Sequence, residues 1–222
     1  MSRIFLPGEN ICEEGDFIRG HGTSKKGDYI MSTVYGTGNL INKLISVQPL
    51  YNMKYTPETG DVVVGRVYGI GNKKWKIDIN SKTETSLSLT SITLPGTVQR
   101  RKIEEDEMRM REYFDINDLL VAEVQKVNKS LTAALHTRSE KYKKLTNGIT
   151  LCLPAMIIPR MSSPFIENDE LEIILGMNGI AFLGIKHKIK ENYVKVSLIY
   201  KYLSECKESL TLVDYDYILN ML

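Results

Sequence analysis

The sequence predicts a fold that is mainly β and closes with a mixed α+β region. Three observations carry this. Short runs with period-two alternation, separated by glycine, recur along most of the chain, as in YIMSTVYG, DVVVGRVYGI and WKIDINS. One stretch of helical propensity and dense mixed charge, RRKIEEDEMRMREYF, lies between two such runs. Near the end, Val196, Ile199, Tyr200 and Leu203 recur at helical spacing.

From Ile4 to Pro49 the runs are broken by turn signals at Lys26-Gly27-Asp28 and Gly36-Thr37-Gly38, which predicts a small antiparallel unit without helix. A proline and a Gly-Asp turn in KYTPETGD mark a boundary, after which strands resume as DVVVGRVYGI, WKIDINS and TSLSL. Asp118 opens DLLVAEVQKV, and Ser130 to His136 adds a last alternating stretch. Five short strands with glycine turns are the pattern of a small closed barrel such as an OB-fold. From Asn147 onward, apolar β-branched segments interrupted by Gly-Met-Asn-Gly give way to two helical stretches, so a sheet-and-helix domain is expected there. The predicted divisions are 1–54, 55–137 and 138–222.

A chain of 222 residues suits one large domain or two to three small ones. The hydrophobic share of 42% and the charged share of 25% are ordinary for a soluble globular protein. Lys+Arg 29 against Asp+Glu 27 leaves a net charge of +2, so a surface for nucleic acid must come from local clustering. Cys12, Cys152 and Cys206 lie far apart and form no metal or disulfide pattern, which predicts free thiols in a reducing compartment. The start MSRIFLPGEN lacks the pattern of a secretory leader and no apolar run is long enough to cross a bilayer, so a soluble, intracellular protein is expected. No cofactor and no metal site is implied.

The stretch YGIGNKKWKIDI poses the sharpest choice. A dinucleotide or P-loop fingerprint needs a third glycine, or a glycine followed by Lys-Ser or Lys-Thr, and neither is present. Its closing residues, Lys76-Ile77-Asp78-Ile79, alternate with period two and cannot open a helix. A hairpin is the consistent reading, with Asn72, Lys73 and Lys74 at its exposed tip and Trp75 starting the next strand. An aromatic beside lysines can stack a base while ammonium groups meet phosphate; a lone tryptophan is more often a core or interface residue.

The succession RGHGT, GDVVVGRV with WKIDINS, LPGTVQRRK, AEVQKV, LHTRSEKYKKLTNG and ILGMNG resembles the RNA-binding cap subunits of the RNA exosome, of the ribosomal RNA-processing protein 4 type. The likeness runs from Gly8 to about Gly179. It implies an N-terminal β domain, an S1 domain of OB-barrel type and a C-terminal KH domain. The part after Gly179 is shorter than such proteins carry, so a trimmed KH region is expected. The resemblance also implies a chain that binds single-stranded RNA, sits on a ring of RNase PH-like subunits beside other exosome cap subunits, leaves cleavage to associated 3'-to-5' nucleases, and works in the nucleus, including the nucleolus, and in the cytoplasm. No membrane is involved. Gly176, Asn178 and Gly179 match the Gly-x-Asn-Gly signature of these caps, which packs KH against S1, and also the loop by which KH domains clamp a nucleic-acid backbone. Arg19, Gly20, His21, Gly22 and Thr23 of RGHGT are expected to be structural.

Candidate RNA contacts are Lys73, Lys74 and Trp75 in the first barrel hairpin, Arg100, Arg101 and Lys102 after LPG, and Lys126 and Lys129 between the last two strands. The Arg100–Lys102 cluster leads into acidic residues and could instead cap a helix or meet a ring subunit. Catalysis is not expected, because His21, His136 and His187 fall in three different segments and no carboxylate constellation stands out. Two other readings stay open: an architectural clamp with incidental RNA binding, and a free S1/KH translation or processing factor.

Overall fold

The computed structural model describes residues 3–13, 15, 17–50, 55–92, 107–128, 132–160 and 163–222. The chain divides into two compact units, Met1–Asn52 and Met53–Leu222. Among the described residues, no helix is long and apolar enough to cross a membrane.

The described residues of the first unit form seven short strands. Strands β1 (Ile4–Phe5), β6 (Gly36–Ile41), β7 (Leu44–Pro49) and β3 (Ile18–Arg19) form one sheet in the order β1-β6-β7-β3. Strands β2 (Asn10–Glu13), β5 (Tyr29–Ser32) and β4 (Thr23–Lys26) form a second in the order β2-β5-β4. All pairings are antiparallel except β3 with β7. The predicted turn at Gly36-Thr37-Gly38 is corrected: these residues are the start of β6. Glycine is needed there for close approach, since a Cβ on Gly38 would come within 2.4 Å of the Phe5 ring.

The RGHGT stretch runs alongside β7. The Gly20 N–H donates to the Ile45 carbonyl (2.7 Å), the Val47 N–H to the His21 carbonyl (2.8 Å), and the Thr23 hydroxyl to the Gly20 carbonyl (2.8 Å). Gly22 has φ +71, and a Cβ there would lie 2.1 Å from the Val47 carbonyl oxygen, so no other residue fits. Arg19 and His21 are exposed.

The second unit begins with the barrel. Strands β8 (Val62–Gly71), β9 (Lys74–Asp78), β10 (Glu84–Ile92), β11 (Leu119–Val127) and β12 (Thr132–Thr137) close through the antiparallel neighbours β10-β9-β8-β11-β12 and a parallel β10–β12 pairing. This is the five-stranded barrel that the alternation predicted. Its interior is filled by the inward residues of each run, among them Val63, Val67, Trp75, Ile77, Leu87, Leu120 and Leu135. Helix α1 (Met110–Tyr113) puts Met110 into the same core, with Phe114 just beyond it. The earlier part of the charged stretch lies outside the described residues.

After the two-residue strand β13 (Lys144–Leu145), strands β14 (Gly148–Cys152), β15 (Phe165–Glu167), β16 (Leu171–Leu175) and β17 (Ile180–Ile185) make an antiparallel sheet in the order β14-β17-β16-β15. Helix α2 (Lys190–Ser209) covers one face, burying Val196, Ile199, Leu203 and Cys206 against Ile173, Leu175 and Leu183. Tyr200, grouped with those residues by its spacing, turns outward and is 39% exposed. Helix α3 (Tyr215–Met221) is capped by Asp214, whose carboxylate accepts from the Asp216 and Tyr217 N–H groups. The other face of the sheet meets the barrel through Ile174 and Phe182 against Val62, Val64, Val121 and Leu145.

Candidate nucleic-acid interface

The hairpin between β8 and β9 is a two-residue turn. Asn72 (φ 51) and Lys73 (φ 59) both take positive φ, as a type I′ turn requires. From it β9 runs with strict alternation: Trp75 and Ile77 point into the barrel, while Lys74 and Lys76 point out. Lys74 makes no ion pair among the described residues. The Lys76 ammonium lies 3.0 Å from the Glu84 carboxylate, whose hydrogen bond and charge raise the lysine pKa and keep it protonated.

Two grooves on the barrel surface share Glu84, the partner of Lys76, as a lining residue. One, of about 380 Å³, is bordered by Asn72, Lys74, Lys76, Glu84, Ser86, Asn128 and Thr132, where the turn meets the end of β11 and the start of β12. The other, of about 420 Å³, has Tyr68, Asp78, Lys82 and Glu84 at its rim. Tyr68 is 50% exposed. The first groove lies on the second- and third-strand face beside the first hairpin and the connection of the last two strands, which is where OB barrels hold oligonucleotides.

Several sequence expectations change here. Trp75 is fully buried, its indole Nε1–H donates to the Phe114 carbonyl (2.8 Å), and its ring meets Phe114 edge to face at 5.6 Å, so it offers no surface to a base. Lys73 is at the tip as expected, with its ammonium 3.2 Å from Glu107. Lys126 is not in a connection but within β11, exposed and opposite Ala134 just past a register shift. Arg100, Arg101, Lys102 and Lys129 lie outside the described residues. Lys76 and Tyr68 were missed, although the parity that sends Trp75 inward sends Lys76 outward.

The Gly176-Met177-Asn178-Gly179 motif is the turn between β16 and β17, and it faces the barrel. Asn178, 1% exposed, accepts from the Val64 N–H with Oδ1 (3.2 Å) and donates with Nδ2 to the carbonyls of Val64 (2.7 Å) and Ile79 (3.0 Å). The Met177 N–H donates to the Val62 carbonyl (2.9 Å). Gly176 and Gly179 frame this turn, and the Asn178 side-chain amide and the Met177 N–H are spent on the barrel. His21, His136 and His187 sit on separate elements: the turn after β3, strand β12 and the segment after β17. Among the described residues, no group of three or more His, Cys, Asp or Glu could hold a metal ion.

Residues 54–126 match the S1 domain of RRP4, and residues 4–39 match the N-terminal region of the exosome complex exonuclease RRP4. Both regions belong to the RRP4 family. The chain is 40% identical over 203 residues to the exosome complex component rrp4 of Schizosaccharomyces pombe, covering 91% of this chain and 61% of that one. It is 44% identical over 184 residues to RRP4 of Saccharomyces cerevisiae, covering 82% and 51%. An archaeal relative, Rrp4 of Pyrococcus furiosus, is 29% identical over 203 residues, covering 84% and 74%. The chain therefore spans only 61% and 51% of the two yeast relatives' lengths. In fold, it superposes with a TM-score of 0.52, at 21% identity, on a crystal structure named provisionally as an exosome complex RNA-binding protein, over 68% of this chain and 86% of that one.

Proposed function

We propose that this chain is a non-catalytic RNA-binding cap subunit of the RNA exosome, which stabilises an RNase PH-like ring beside other cap subunits and guides single-stranded RNA toward associated 3'-to-5' nucleases. The likeness to RRP4 proteins supports the assembly. The ridge of Lys74 and Lys76 along the barrel groove is the observation that supports RNA guidance. In this reading Lys73, Lys74 and Lys76 meet phosphates, and Tyr68 takes the stacking role that Trp75 cannot. Arg100, Arg101, Lys102, Lys126 and Lys129 extend the basic path. Charge attraction to the backbone supplies most of the affinity in this reading, so binding is sequence-tolerant and salt-sensitive.

We assign 1–54 to the N-terminal β domain, 55–137 to S1 and 138–222 to KH, and we place the protein in the nucleus, including the nucleolus, and in the cytoplasm. The RGHGT glycines shape the N-terminal domain, and Gly176, Asn178 and Gly179 dock the C-terminal region on the barrel. Ring contact has a candidate surface in the first unit, where the β6–β7 hairpin exposes Leu40 (59%) and Ile41 (66%).

The test is RNA capture by the assembled complex carrying Lys74→Glu with Lys76→Glu. We expect affinity for single-stranded RNA to fall by roughly tenfold or more at low salt, with assembly intact, and the slope of log affinity against log salt to flatten by about 0.7 per lost phosphate contact. Unchanged capture would favour the purely architectural role, in which Leu40→Asp with Ile41→Asp would release the chain from the ring. Absence of any stable ring partner would favour a free S1/KH factor.

A further inference from the structure

Strand β14 is an outer strand of its sheet. One side pairs with β17, in register from Gly148↔Gly184 to Cys152↔Ile180. The Ile185 N–H bonds to the Asn147 carbonyl (2.9 Å) and the Leu153 N–H to the Gly179 carbonyl (2.7 Å), which fixes the phase of the ladder. By antiparallel alternation, Ile149 and Leu151 exchange bonds with β17, while Gly148, Thr150 and Cys152 aim their N–H and C=O groups outward. No hydrogen bond takes these groups up among the described residues. Exposed edges are normally blunted by charge, proline or a covering element, and the β14 sequence GITLC has neither charge nor proline.

An apolar groove of about 450 Å³ opens beside this edge, between the sheet and α2. Ile149 and Leu183 line it from the sheet, with Tyr193, Val196 and Tyr200 from the helix. Ile149 is 46% and Tyr193 52% exposed. The only charged residue lining it is Lys188, which makes no ion pair among the described residues.

We propose that β14 and this groove form a docking site for an extended peptide segment of a protein partner, which adds as a strand to β14, lodges an apolar side chain against Ile149, Tyr193 and Tyr200, and sets a carboxylate near Lys188. A row of alternating donors and acceptors at strand spacing is complementary to another extended backbone, and nucleic acid carries no such row. The groove beside the edge then selects the side chain that points toward the helix, as in other strand-addition sites. The lone lysine favours an acidic flank over a basic one. This site uses none of the barrel lysines and does not depend on the RNA-guiding role.

The test begins with the whole chain panned against a displayed library of random linear peptides. Selected sequences are synthesised with a fluorescent label and titrated by anisotropy. Alternating apolar residues with a flanking Asp or Glu should be enriched. Ile149→Glu should weaken binding by roughly tenfold or more at unchanged melting temperature, because the lost contact is apolar and the site is half exposed. N-methylation of the peptide amide opposite Thr150 should weaken it comparably, and Lys188→Glu should weaken the acidic peptides selectively. No enrichment would overturn the proposal, as would equal binding of the N-methylated peptide. Displacement of the peptides by a single-stranded oligonucleotide in wild type but not in Ile149→Glu would assign the groove to nucleic acid instead. Concentration-dependent dimerisation that Ile149→Glu abolishes would assign it to a second copy of this chain.

Discussion

Asn178→Ala should cost roughly 3 kcal/mol of unfolding free energy, because the variant strands the Val64 N–H and the Val64 and Ile79 carbonyls, each worth about 1–3 kcal/mol when buried without a partner. One side-chain amide now serves all three, at 3.2, 2.7 and 3.0 Å. Val64 and Ile79 are themselves 0% and 1% exposed, so water reaches these groups only if the barrel and the C-terminal sheet part slightly. That relaxation is why the low end of the sum is expected. Asn178→Asp should be no better: it keeps an acceptor for Val64 but turns a carboxylate oxygen toward two carbonyls and buries its charge. Urea unfolding followed by Trp75 fluorescence reports the barrel, since Trp75 is the single tryptophan of the chain. Far-UV dichroism near the helix minimum reports α2. In the native protein the two transitions should coincide; in Asn178→Ala they should separate, with the helix signal lost first. A loss under about 1 kcal/mol with coincident transitions would mean that the apolar layer of Val62, Val64, Val121, Ile174 and Phe182 carries the junction unaided.

The barrel was legible because each of its strands keeps one buried face, and period-two alternation writes that face into the sequence. The same parity decides Trp75. In Lys74-Trp75-Lys76-Ile77 it shares the inward face with Ile77, so placing it beside the lysines as a stacking ring set composition above register. Gly36-Thr37-Gly38 misled for a related reason: glycine signals both a turn and a close approach, and only the position of Phe5 shows which applies. Asn178 was recognisable as part of a motif, yet its partners lie 114 and 99 residues away, a pairing no local pattern encodes. Tyr200 fits the helical spacing of its neighbours and is still 39% exposed, because β14 ends the sheet and a groove opens beside that part of α2. The edge and its groove depend on strand order, which composition and periodicity do not specify.

Trp75→Ala should be the most damaging single change in the barrel, costing about 3–5 kcal/mol as a large buried aromatic cut back to a methyl group. The ring is 0% exposed, contacts Phe114 at 5.6 Å and an interplanar angle of 88°, and holds the segment after α1 through its bond to the Phe114 carbonyl. Thermal melts by far-UV dichroism would measure the loss, since the fluorescence probe is gone. The informative companion is Trp75→Phe, which keeps most of the apolar area but leaves the Phe114 carbonyl without its donor, at about 1–2 kcal/mol. That variant should remain folded and bind single-stranded RNA as the native chain does, while Lys74→Glu with Lys76→Glu weakens binding at little cost in stability, because both lysines are exposed. The opposite pattern, severalfold weaker RNA binding by a stable Trp75→Phe and none lost by the lysine pair, would require the indole to leave the core when RNA binds. The inward parity of β9 would then describe only the free protein, and the RNA path would have to run through an opened barrel instead of along its wall.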